Sequence, residues 1–84
     1  MNIRIKFGSR LKHLRKFRKM SQDAVSLASG VDRSYLSEIE NGKVSPTIDV
    51  IDRIAQALDV APKELLEESV AEPEVSYSGK KLKA

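Results

Sequence analysis

The chain has 84 residues with 15 Lys or Arg, 12 Asp or Glu, a formal net charge of +3 and no cysteine. This length allows one domain with a small core, and the lack of cysteine excludes a disulfide framework and a thiolate metal site. No apolar run reaches the length of a membrane span, and the first residues, MNIRIKFG, lack a signal-peptide core. We therefore expect a soluble, cytoplasmic protein without a membrane partner.

The charge is distributed unevenly along the chain. Residues 1–20 carry eight Lys or Arg and no acid, whereas residues 21–74 carry four bases and twelve acids, and residues 75–84 carry three bases. The cationic part of the chain is thus its beginning. Such an uneven distribution favours a partner that is itself charged.

The first predicted helix spans Ser9 to Arg18. Leu11 and Leu14 lie at helical spacing, with Phe7 one turn earlier, so these side chains are predicted to face the core. This helix is the cationic element. It also contains His13, the single histidine of the chain.

Two short segments show a different, period-two pattern. Ile3, Ile5 and Phe7 alternate with polar residues, and Val75 and Tyr77 do the same. Alternation of this kind is typical of strands. It predicts that the two segments can pair as small strands, within or between subunits.

The second and third predicted helices span Gln22 to Ser29 and Arg33 to Asn41. Ser21 and Asp32 each precede a helix as residues whose side chains accept hydrogen bonds from first-turn amides. Gly30 lies between them, and glycine is free to take the left-handed conformation that ends a helix abruptly. Two helices joined in this way meet at a steep angle.

Two further helices complete the prediction. Helix 4 begins after Thr47 as its cap and ends at Leu58, with Ile51, Ile54 and Ala55 on the same face as Leu58. Helix 5 spans Pro62 to Glu67, because proline is tolerated in a first helical turn. The predicted fold class is all-α: a five-helix domain over residues 1–68 and a short tail over residues 69–84.

These elements resemble the phage-repressor and Cro-type (Xre) helix-turn-helix family, from about Phe7 to Leu66. The family has an arginine late in helix 1, a glutamine that opens helix 2 and a third helix that ends in Glu-Asn-Gly. Arg15, Gln22 and residues 40–42 occupy these positions here. Controller proteins of restriction-modification systems and small phage-type repressors are the most similar branches.

Two positions depart from the family pattern. Lys19 stands where a glycine commonly closes helix 1, and Ala61 stands where a capping Ser, Thr or Asp is usual before helix 5. Neither position belongs to the third helix. They bear on the local backbone geometry.

The resemblance implies a transcriptional regulator that binds double-stranded DNA in a sequence-specific manner. Helix 3, residues 33–41, is then the recognition helix in the major groove, and a homodimer binds a palindromic operator with half-sites about one helical turn apart. No cofactor, metal or small-molecule ligand is implied. Repression needs only occupancy of the operator, whereas activation needs contact with polymerase, and the sequence leaves both open.

The resemblance also implies roles for individual residues. The base-reading positions are Arg33, Ser34, Ser37 and Glu38. The phosphate-binding positions are Gln22, Tyr35, Asn41 and Lys43, and the charge distribution adds Arg10, Lys12, Lys16 and Lys19 of the cationic segment. Arg15 and Glu40 are expected to form a structural salt bridge. The dimer surface is expected among Leu65, Leu66 and Val70.

Each assignment has a plainer alternative. A single lysine on a helix is often only solvated, the Tyr35 ring can simply cover helix 2, and any one of the dimer leucines can pack internally. The rival function is an antitoxin or adaptor of the same fold that acts mainly through a toxin-like or other protein partner. Enzymatic activity is not expected, because His13 lies among cations and no acids are spaced as a catalytic pair or metal cluster.

Overall fold

The computed structural model describes residues 2–67, which form four α-helices and one 3-10 helix. The helices are α1 (Ile3–Phe17), α2 (Gln22–Ser29), α3 (Arg33–Glu40), α4 (Ile48–Leu58) and the 3-10 helix (Pro62–Leu65). No strand occurs within residues 2–67, so the all-helical class is confirmed for this part of the chain. The predicted fifth helix is a single 3-10 turn rather than an α-helix.

Helix α1 begins six residues earlier than the sequence predicts. The side chain of Asn2 accepts a hydrogen bond from the backbone amide of Arg4 at 2.8 Å and caps the helix. Ile3, Ile5 and Phe7 therefore lie in α1, and the prediction of a strand for this segment is wrong. The segment with Val75 and Tyr77, which was predicted to pair with it, lies outside the described residues.

The core lies where all five elements meet. Eleven hydrophobic side chains are buried there: Phe7, Leu11, Leu14, Val25, Val31, Leu36, Ile39, Ile54, Ala55, Leu58 and Leu65. Leu65 is fully buried, which contradicts its assignment to a dimer surface. The neighbouring Leu66 remains 59% exposed, and Val70 lies outside the described residues. The turn at the 3-10 helix thus gives the two leucines opposite roles.

Helix α1 approaches the end of α3 most closely at Gly8. A Cβ atom on Gly8 would lie 2.3 Å from the carbonyl oxygen of Ile39 and 2.6 Å from that of Glu40. Only glycine allows the two backbones to come this close. Gly8 therefore sets the distance between α1 and the exposed helix α3, although glycine is otherwise unfavourable inside a helix.

Two helix ends use residues other than glycine in the left-handed conformation. Lys19 has φ +59° after α1, and Asp59 has φ +58° after α4. Lys19 thus keeps the backbone geometry that a glycine would supply, at some conformational cost. Before the 3-10 helix, Ala61 offers no capping oxygen, and the Glu64 side chain instead accepts the Ala61 amide hydrogen at 3.1 Å.

None of the helices within residues 2–67 combines the length and the apolar character that a bilayer crossing requires.

Candidate nucleic-acid interface

The turn between α2 and α3 is held by a set of polar contacts that fix how α3 is placed against α2. Gly30 has φ +75° and ends α2. The Ser26 hydroxyl donates to the Val31 carbonyl at 2.6 Å, and the Ser29 hydroxyl accepts from the Val31 amide at 3.1 Å. Arg53 of α4 donates to the carbonyls of Ser29 and Gly30, each at 3.3 Å. Hydrogen bonds from Ser26, Ser29 and Arg53 therefore fix the angle between α2 and α3.

One face of α3 is buried and the opposite face is polar and open. Leu36 and Ile39 are fully buried, and Val31 just before the helix is also in the core. Arg33, Ser34 and Glu38 are exposed, and Ser37 between them is partly buried. The four predicted base-reading residues thus share one surface of α3.

The first turn of α3 has a defined hydrogen-bond pattern. Asp32 accepts from the Ser34 amide at 3.2 Å and from the Ser34 hydroxyl at 2.6 Å. The hydrogen bond from the Ser34 hydroxyl, with those from the Tyr35 and Ser34 backbone, lowers the pKa of Asp32. Because the Ser34 hydroxyl proton is already donated, this oxygen faces an external group as an acceptor.

Arg33 forms an ion pair with Asp23 in the first turn of α2. The Arg33 Nε atom lies 2.7 Å from Asp23 Oδ1, and the two side chains are 60% and 78% exposed. The pair bridges the two helices on the solvent side. The sequence did not indicate this contact.

Arg15 and Glu40 meet in a buried ion pair, at the two positions that the resemblance pairs. Arg15 Nε lies 2.6 Å from Glu40 Oε2, and Arg15 Nη2 donates to Oε1 at 3.0 Å. Gln22 also donates to Glu40 Oε1 at 3.0 Å, and Arg15 donates to the Met20 carbonyl at 2.9 Å. This network ties α1 and the start of α2 to the end of α3.

The predicted phosphate-binding residues of α2 and α3 occupy different environments. Gln22 is partly buried and shares one amide hydrogen with Glu40, and Asn41 donates from Nδ2 to the Ser37 carbonyl at 3.0 Å. The side-chain amide of each keeps a second hydrogen for an external acceptor. Lys43 is exposed, whereas Tyr35 packs its ring partly against the core.

The predicted phosphate-binding bases of α1 and of the turn after it lie in two environments. Arg10 donates from Nε to the Glu64 carbonyl at 2.7 Å, lies 3.8 Å from Glu67 and is 14% exposed, so it fastens the 3-10 helix to α1. The Nε donor of Arg10 is therefore used within the protein. Lys12, Lys16 and Lys19 are exposed.

Three residues that shape this surface had no local signal in the sequence. Asp23 pairs with Arg33, Arg53 clamps the turn after α2, and Gly8 allows α1 to approach α3. Each acts on a residue that is distant in sequence. Gly8 lay outside the predicted helix 1, which began at Ser9, so its place inside α1 was known only from the structure.

No group of three or more His, Cys, Asp or Glu side chains within residues 2–67 is arranged to hold a metal ion. His13 is exposed on α1.

An all-helical domain that presents a polar helix face from a braced turn is the architecture of a class of DNA-binding regulators. A profile of the helix-turn-helix family matches residues 11–65. The chain therefore belongs to the helix-turn-helix family of transcription regulators, which are DNA-binding proteins rather than enzymes.

Individual relatives are consistent with this membership. The chain is 37% identical over 67 residues to the control protein C.BamHI of Bacillus amyloliquefaciens, which covers 79% of this chain and 83% of that protein. It is 36% identical over 73 residues to the regulator SinR of Bacillus subtilis, over 86% of this chain and 63% of that protein. The crystal structure of the restriction-modification controller protein C.AhdI from Aeromonas hydrophila superimposes with a TM-score of 0.73 at 40% identity, over 74% of this chain and 94% of that one.

Proposed function

We propose that the protein binds a specific double-stranded DNA sequence, with α2 and α3 acting as the helix-turn-helix and α3 entering the major groove. The single observation that carries this proposal is the row of exposed polar side chains on α3, opposite the fully buried Leu36 and Ile39. A helix of about eight residues that is packed on one face and exposed on the other fits the width of the major groove.

The side chains at the start of α3 determine which bases are favoured. The Arg33 guanidinium matches the O6 and N7 acceptors of guanine. Ser34 presents an acceptor, because its proton is donated to Asp32, and so it favours the amino group of adenine or cytosine. Glu38 also accepts and favours a cytosine amino group, while Ser37 borders the same surface.

Phosphate contacts fix the register of the protein on the duplex. Gln22 opens α2, and its remaining amide hydrogen and the free amides of the first turn are donors to a phosphate. Asn41 and Lys43 follow α3 and serve the same purpose, and Tyr35 contributes through its hydroxyl. Three exposed bases of α1 and the turn after it add long-range attraction: Lys12, Lys16 and Lys19.

Replacing Arg33 with alanine tests the reading of bases by α3. On the duplex that the wild-type protein selects, we expect binding to weaken by about 1–3 kcal/mol, or roughly 5- to 150-fold, because a bidentate guanine contact is lost. On a scrambled duplex the loss should be small. Fluorescence anisotropy titrations of both duplexes measure the difference.

Arg4→Ala is the matched control for charge, since Arg4 is an exposed cation at the start of α1. It should change the affinity for both duplexes alike. If Arg33→Ala also weakened both duplexes equally, Arg33 would be a phosphate contact and would not read a base.

We further propose that the protein binds as a homodimer to a palindrome. The supporting feature is a groove between the start of α1 and the 3-10 helix, where Ile3 and Leu66 are the exposed apolar side chains, above the buried Phe7 and Leu65 and beside Lys6 and Glu67. Ile3 and Leu66 are 64% and 59% exposed there. Covering these side chains with a second copy would remove them from water, and Val70 just beyond the described residues extends the same stretch of chain. In this proposal, residues 1–68 form the DNA-binding domain and residues 69–84 its tail.

Leu66→Glu is expected to weaken the dimer at least about tenfold, because burial of a leucine contributes about 1.5–3 kcal/mol and a carboxylate opposes it. Sedimentation equilibrium measures the dissociation constant. Leu27→Glu is the control, since Leu27 on α2 is 89% exposed and does not line the groove. If both variants associated like the wild type, the groove would not be the dimer surface.

A further inference from the structure

We propose that Asp23 is a positioning residue for base recognition: its carboxylate orients the Arg33 guanidinium toward a guanine and so determines specificity at that base pair. This inference rests on the proposed function of α3. Asp23 belongs to α2, whereas the proposed base-reading residues all lie on α3.

The geometry that supports the proposal is the ion pair between α2 and α3. Asp23 lies in the first turn of α2 and Arg33 is the first residue of α3, and Arg33 Nε is 2.7 Å from Asp23 Oδ1. The side chains are 60% and 78% exposed. An ion pair this exposed contributes little to folding stability. Its effect is therefore to restrict the orientation of Arg33.

The chemistry of the guanidinium explains why this orientation matters. Arginine presents five N–H donors in a planar fork, and guanine presents the O6 and N7 acceptors at a spacing that two of them can bridge. When Nε faces Asp23, the two terminal nitrogens remain for this bridge. A guanidinium held in this way also loses less conformational entropy on binding than a free one does.

The ion pair further directs Arg33 away from phosphates. An arginine without a carboxylate partner is attracted to any nearby phosphate, and such contacts carry no sequence information. Partial neutralisation by Asp23 lowers this nonspecific attraction. Asp23 itself repels phosphates, so simple electrostatics predicts that its removal strengthens binding to every sequence.

Positioning and simple repulsion therefore predict opposite results for Asp23→Ala. The test uses the full chain and three duplexes: the one the wild-type protein selects, the same duplex with the G·C pair read by Arg33 changed to A·T, and a scrambled duplex. That pair is identified as the one whose replacement no longer matters in Arg33→Ala. We expect Asp23→Ala to reduce the preference for G·C over A·T roughly two- to fivefold, the range that an exposed ion pair supplies, while its affinity for the scrambled duplex is unchanged or higher.

Asp49→Ala is the matched control, because Asp49 is an exposed acid in the first turn of α4. It makes the same change in net charge and should leave the preference for G·C intact. Asp23→Asn keeps a hydrogen-bond acceptor and should retain part of the preference. Adding Asp23→Ala to Arg33→Ala should cause no further loss, since the two residues act through one contact.

An unchanged or increased preference for G·C in Asp23→Ala would overturn the inference. A uniform loss of affinity for all three duplexes, with a lowered melting temperature, would also overturn it, because it would show a merely structural role. The two proposals fail separately. If the wild type selects no sequence, the proposed function is wrong; if Arg33→Ala loses the preference and Asp23→Ala keeps it, only the role of Asp23 is wrong.

Discussion

Replacing Arg15 with alanine is expected to lower the free energy of unfolding by about 3–5 kcal/mol, because it leaves the buried Glu40 carboxylate without its cation. The Glu40 side chain is only 2% exposed and would keep a single hydrogen bond from Gln22. For a domain of this size such a loss corresponds to a fall in melting temperature of at least about 12 °C. Thermal unfolding followed by circular dichroism measures it.

Lys16→Ala is the control, since it removes an exposed cation from the neighbouring position of α1. Its melting temperature should stay close to that of the wild type. The double variant Arg15→Met with Glu40→Leu should recover most of the stability, because apolar side chains of similar volume often replace a buried ion pair without loss. Unchanged melting of Arg15→Ala would contradict the structural role of the pair.

Gly8→Ala is expected to destabilise the protein by about 1–3 kcal/mol, a typical cost of overpacking. In an ordinary helix the same substitution would stabilise by about 1 kcal/mol, because alanine is a better helix former than glycine. Here the new Cβ would lie 2.3 Å from the Ile39 carbonyl oxygen, and α1 would have to move away from α3. A decrease in the free energy of unfolding, rather than an increase, would therefore show that the two helices approach closely at Gly8.

Ser9→Ala separates helix propensity from packing. Ser9 is exposed at the next position of α1, so alanine there should be neutral or slightly stabilising. Urea denaturation of both variants gives the two free energies. If Gly8→Ala were as stable as Ser9→Ala, the distance between α1 and α3 would not depend on Gly8.

Features with local causes could be predicted from the sequence. The predicted bounds of α2 are the observed ones, because Ser21 caps the helix and Gly30 ends it, and both signals lie within a few residues of the boundary. Asp32 and Thr47 mark the starts of α3 and α4 in the same way. The inward faces follow from helical spacing alone.

Features with long-range causes could not be predicted. Gly8 is favourable in α1 only because the carbonyls of α3 lie against it. Arg53 donates to the Ser29 carbonyl, which is 24 positions away in the sequence. Leu65 and Leu66 are adjacent, so periodicity does not decide which one is buried until the 3-10 turn is known. The fold was therefore easier to predict than the contacts that orient α3.

We infer that the exposed face of α3 reads a DNA sequence, and selection of bound duplexes from a random pool is the measurement that tests this inference. The selection is done at roughly physiological salt, where nonspecific binding is weak, and it includes the DNA upstream of the protein's own gene. We expect an enriched palindrome with half-sites about one helical turn apart, and loss of the enriched guanine when Arg33→Ala is used. No enrichment, with only weak and salt-sensitive binding, would contradict the claim and would favour an antitoxin or adaptor that acts through a protein partner.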